Sequence, residues 1–158
     1  MSTTKAPDSK AAFNQLETML DEYLGKKAPA MPENIKETLV SFAPYLAIIG
    51  IVISLPAIFA ILGIGAMMGP FSAFMGVSYL GTYGVTYYIG IVGLIISAVL
   101  EPLAIQGLFK RSMNAWRLMY YASLVTFVAS ILQGNLSSAI IGGLIGLYIL
   151  FQVKSMYK

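Results

Sequence analysis

The chain has 158 residues, 58% hydrophobic and 11% charged, with a mean hydropathy of +0.77; a soluble domain carries about 25% charged residues, so water is not its main solvent. It contains no Cys and no His, which excludes disulfides, thiol nucleophiles, His general bases, His-ligated haem and structural zinc. The formal net charge of +3 is small, and its placement speaks of topology and not of a nucleic-acid partner.

Residues 1–8 are mostly small and polar and read as a flexible tail, without the apolar run of a cleaved signal peptide. From Ser9 a helical period sets in: Ala12, Phe13, Leu16, Met19, Leu20, Tyr23 and Leu24 share one face, and Asn14, Glu17, Thr18, Asp21 and Glu22 take the other. The spacing predicts an amphipathic helix over 9–25, capped by Gly25. Membrane-surface helices favour Lys and Arg on the polar face, so the acidic residues here direct this helix to protein instead, on its own loops around Lys110 and Arg111 or on a neighbouring subunit. Residues 26–33 form a linker, with Pro32 and Glu33 suited to the first turn of the next helix.

From Thr38 to Leu100 no residue is charged, and only Glu101 interrupts before Lys110. Backbone groups cannot stay unpaired in hydrocarbon, so these continuous apolar runs must be helices, and about 20 residues cross the bilayer once. Two spans are expected, at 38–62 with bends at Pro44 and Pro56, and at 85–109. Between them lie Gly63, Gly65, Gly69, Pro70, Gly76, Gly81 and Gly84. Each glycine costs a helix up to about 1 kcal/mol relative to Ala, which predicts an apolar hairpin over 63–84 and not a further span. After Lys110, Arg111 and Arg117 the apolar run resumes, broken by the turn signal Gln133, Gly134, Asn135. That gives spans at 115–133 and 136–153, with Lys110, Arg111, Trp116 and Arg117 as interface anchors.

The expected fold is therefore an all-α integral membrane bundle of four transmembrane helices over 34–158. Charge supports the count. All ten Lys and Arg lie in the N-terminal region, around the second connection or at the C-terminus, and none in 63–84 or 133–135. The positive-inside rule then places both termini in the cytoplasm. The stretch Gly107 to Lys110, Arg111, Trp116 and Arg117 is similar to the basic-aromatic connections of small four-span bacterial proteins, a resemblance that supports the topology only; a bacterial plasma membrane is the expected location.

Within the spans, Glu101 stands about 13 Å by helical rise from Lys110, inside the hydrocarbon. A carboxylate there must be paired, protonated or facing a wet cavity. Pro102 beside it removes the donor to the Ala98 carbonyl and kinks the helix. A lone acid at a broken helix suits a proton or cation site; equally, a protonated Glu can hold two helices together. Small residues recur four apart at Ser138, Gly142 and Gly146 and at Ala122, Thr126 and Ser130, a pattern for close helix packing within the bundle or between copies. Gly81, Thr82, Tyr83 and Gly84 resemble a potassium-filter loop only superficially, and Met67, Met68 and Met75 lack His or Cys to complete a copper site.

No catalytic residue, metal or cofactor is expected. The leading expectation is a non-enzymatic membrane protein with a structural or accessory role, associating with itself or a membrane-protein partner. The alternative is a small transporter or channel subunit using Glu101. The lipid bilayer is an expected partner, and no nucleic acid is expected.

Overall fold

The computed structural model describes residues 9–74 and 84–158, and every element among them is helical. Helix α1 spans Ser9–Leu20 and runs on as a wider π-type winding over Asp21–Lys27. It passes the expected cap at Gly25 and stops at Ala28, which is extended (φ −68°, ψ 155°); Pro29 follows and disfavours helical backbone in the residue before it.

Helix α2 covers Glu33–Phe74, about 63 Å of helical rise. It continues through Pro44 and Pro56 and through the first part of the glycine-rich stretch. The first twelve residues of the expected hairpin are therefore helical; the local cost of glycine is outweighed when a preceding helix only has to be extended and not nucleated. Residues 75–83 of that stretch, with the filter-like Gly81 to Tyr83, lie outside the described residues, and Gly84 begins the next helix.

Helix α3 is Gly84–Phe109, with Pro102 inside it, and α4 is Met113–Leu132. The turn between them carries Arg111 at φ 51°, a left-handed position that non-glycine residues rarely adopt. The expected turn at 133–135 is present. Gly134 supplies φ 72°, and the Asn135 side chain accepts from the Ser138 N–H at 3.2 Å, capping the next helix. That helix, α5, is Leu136–Gln152, wound wide over Ala139–Leu144.

Close approaches fix the packing. A Cβ on Gly107 would lie 2.6 Å from Ala115 Cβ, and one on Gly93 would lie 3.1 Å from Ala129 Cβ, so α3 and α4 run antiparallel with backbones in near contact. Tyr45 meets Phe109 edge-on at 5.4 Å, bringing α2 against α3. The Trp116 Nε1–H donates to the Leu150 carbonyl at 2.8 Å, and Phe127 fills the space over Gly143, so α4 and α5 are antiparallel too.

The core sits toward one end of this packing. Trp116, Tyr120, Leu147 and Val40 are almost wholly enclosed, with Leu108, Phe151 and Tyr157 around them. Elsewhere large apolar side chains point outward, Ile53 and Phe59 at 70% exposure and Val85 at 74%. Apolar surface on this scale belongs in lipid. Among the described residues three helices are long and apolar enough to cross a membrane: Glu33–Pro56 within α2, Gly84–Phe109 and Met113–Leu132.

Candidate functional site

Seen along α3, the residues Gly90, Gly93, Leu94, Ser97, Ala98 and Glu101 recur at three- and four-residue intervals and so share one face. On α4 and its C-cap, Thr126, Ala129, Ser130 and Gln133 do the same, and Ser54 and Ile58 lie one turn apart on α2. These faces enclose a cavity of about 240 Å³. Its walls carry one carboxyl group, four hydroxyls and one carboxamide among otherwise apolar or glycine surfaces.

Two glycines open the space. At Gly90 a Cβ would come 3.2 Å from the Gln133 side-chain oxygen, so the missing side chain makes room for that amide. Gly93 brings α3 and α4 close beside it. Ser97 and Thr126 hydroxyls then meet across the gap at 3.3 Å, Gln133 donates to the Ala129 carbonyl at 3.1 Å, and Ser54 donates to the Ile51 carbonyl at 2.9 Å.

Gln133 is exposed at the α4–α5 turn. The polar lining thus runs inward from that end for about 16 Å, the helical rise from Gly90 to Glu101. Beyond Glu101 the way is packed: Ala104, Leu108, Ala115 and Trp116 are buried. Glu101 is partly buried, and no hydrogen bond or ion pair engages it among the described residues. Pro102, exposed on the far side, has no N–H to give to the carbonyl of Ala98, itself a wall residue.

The sequence-derived candidates divide accordingly. Glu101, Thr126 and Ser130 come together in the cavity, and Ala122 is buried on the same helix. Ser138 and Gly142 are exposed, and a Cβ on Gly142 or Gly146 would meet nothing within 4 Å. The residues that pack α5 inward are Ala139, Gly143 and Leu147, one position along. Trp116 is not a headgroup anchor: it is fully buried, stacked on Tyr120 at 5.5 Å and bonded to α5, because an indole gains most where its ring is enclosed and its N–H satisfied. Lys110 and Arg117 are exposed, and Arg111 pairs with Glu37.

Sequence reasoning does not bring Ser54, Ser97 and Gln133 to the site. Ser97 and Gln133 carry a weak signal, since Ser97 stands one turn before Glu101 and Gln133 lies on the Thr126–Ser130 face; Ser54 carries none. Among the described residues no group of three or more acidic, His or Cys side chains is placed to hold a metal ion. The oxygen-rich lining suits a proton, water or a hard monovalent cation better than a soft metal.

No family model, curated protein or solved structure matches the chain.

Proposed function

We propose that this protein is a small non-enzymatic membrane transporter or channel subunit in which Glu101 binds a proton or hard cation inside the membrane. The observation that carries the reading is the cavity, which joins Glu101 to Ser54, Ser97, Thr126, Ser130 and Gln133. A carboxylate in hydrocarbon is costly unless water or polar groups reach it, and a carboxyl used only as glue would be expected to engage a partner across the helix interface. Here polar groups lead toward it from one end, and apolar packing closes the other. That is the shape of an access path ending at a binding carboxyl, and a complete passage would require the packed end to open.

In this reading α5 is a fourth span, 17 residues long and at the short limit for crossing. The termini and the α3–α4 turn lie on the cytoplasmic side by the positive-inside rule, so the cavity opens outward. The support is proximity: Arg111 pairs with Glu37, Lys154 with Glu17 at 3.0 Å, and Lys158 exchanges backbone hydrogen bonds with Arg111 and Met113 at 2.8 and 2.7 Å.

The test is flux in liposomes, with wild type and Glu101→Gln assayed side by side for protons, sodium and potassium over a range of pH. Glutamine keeps the size and hydrogen-bonding capacity but cannot gain and lose charge. Flux in wild type that vanishes in the variant is the expected result; a wild type that moves none of these ions sinks the reading.

A second reading, assembly with a second copy or a membrane-protein partner, is favoured by one observation. Ser138 is exposed, a Cβ on Gly142 or Gly146 meets nothing within 4 Å among the described residues, and open small-residue faces allow close helix approach in lipid.

A further inference from the structure

We infer that α1 lies in the interfacial zone of the same bilayer that surrounds the helices, its outer apolar stripe buried at the boundary between headgroups and acyl chains. Ala12, Leu16, Met19 and Tyr23 recur at intervals of four, three and four residues, which is one stripe of a helix. All four are exposed, Leu16 at 39%, Met19 at 58% and Tyr23 at 57%.

The obstacle to membrane docking is the acidic content of the segment, and the fold removes it. Glu17 and Asp21 turn to the protein and share the Lys154 ammonium, at 3.0 and 3.7 Å. Glu22 is held by Lys27 at 2.8 Å, and the same ammonium sits 4.4 Å over the Tyr23 ring. With its acids neutralised in place, the segment offers the bilayer no net repulsion.

Depth fits as well. Phe13 meets Tyr121 edge-on at 6.0 Å, and Tyr121 stands about 12 Å along α4 from Met113. The helix therefore lies alongside the first turns of a helix of span length, with Leu20 and Leu24 packed on the core and the stripe of Ala12, Leu16, Met19 and Tyr23 left exposed. Apolar burial without net charge makes this docking independent of anionic lipid. The inference needs the helices to be in a bilayer and does not depend on what Glu101 does.

Because the chain has no Cys, single reporters can be placed cleanly in the full-length protein. Leu16→Cys, Met19→Cys, Asn14→Cys and Ile53→Cys, each carrying an environment-sensitive fluorophore, are reconstituted in phosphatidylcholine vesicles containing doxyl-labelled lipid. Ile53, 70% exposed on α2, reports that the spans are inserted. Expected are blue-shifted emission and quenching by shallow doxyl lipid at Leu16 and Met19, against water-like emission at Asn14 on the polar face. With Ile53 quenched, water-like emission at Leu16 and Met19 overturns the inference. So does a blue shift without lipid quenching that grows with protein-to-lipid ratio, since the occupant is then a second copy.

Discussion

A methyl group added at Gly143 would meet the Phe127 ring at 2.3 Å, whereas at Gly142 it would meet nothing within 4 Å. Gly143→Ala is expected to destabilise the protein by about 1 to 3 kcal/mol through overpacking. Gly142→Ala should be neutral or stabilising by up to about 1 kcal/mol through helix propensity; thermal unfolding in detergent compares them. Gly142→Leu then tests the open face by solubilised mass: a fall to monomer supports assembly there, and an unchanged mass with an unchanged melting temperature means that the face meets lipid. At the C-terminus, burial pushes the Tyr157 phenol above its ordinary range, only partly offset by Arg111. The neutral form is thus favoured by folding, and its contribution is full below the unfolded value of about 10 and is lost as pH rises through the higher folded value. Stability should fall on titration above about pH 10, and Tyr157→Phe should flatten that fall; an identical profile in the variant would show that other groups cause it.

At the scale of elements, α1 and the linker are fastened to the end of α5. Lys154 holds Glu17 and Asp21 and lies 4.9 Å over the Trp116 ring. Gln152 donates to the Leu24 carbonyl at 2.7 Å and accepts from the Met31 N–H at 3.0 Å, and the Tyr148 hydroxyl donates to the Pro29 carbonyl at 2.6 Å. The ion pair is largely shielded, with side-chain exposures of 23% for Lys154 and 13% for Glu17, so its loss should cost more than an exposed pair and less than a buried one. Lys154→Met is expected to cost roughly 1 to 2 kcal/mol and to speed proteolysis at Lys26 and Lys27 severalfold. Cleavage at the wild-type rate would mean that Gln152 and Tyr148 hold the segment unaided.

For the whole molecule, the pairing of Lys158 with the α3–α4 turn puts the C-terminus at the same end as Arg111, while α4 and α5 meet at the other. If α5 crosses the bilayer, a thiol placed at Lys158 and one at Asn135 must react from opposite sides in intact cells. The expected outcome is labelling by an impermeant reagent at Asn135 and protection at Lys158. Equal labelling would remove the fourth span and leave the three helices that length and hydropathy support.

Composition and local periodicity are legible along the chain without any knowledge of its packing. Charge-free runs of span length require lipid and helices, the Gln133 to Asn135 turn follows from residues that tolerate its backbone, and Glu101 stands out because an acid in hydrocarbon needs a reason. Tertiary structure decided everything that depends on which faces meet. The α5 stripe at Ser138, Gly142 and Gly146 is no more small-residued than the contact at Ala139 and Gly143, and the wide winding over Ala139–Leu144 shifts any face read from an ideal 3.6-residue period. Trp116 at a helix start fits a headgroup anchor as well as a core residue until α5 brings the Leu150 carbonyl to its N–H. Ser54, Ser97 and Gln133 are separately unremarkable polar residues. Ser97 and Gln133 join Glu101 where Gly90 and Gly93 let α3 and α4 approach, and Ser54 joins them from α2, a relation between separate helices that spacing along any one of them does not contain.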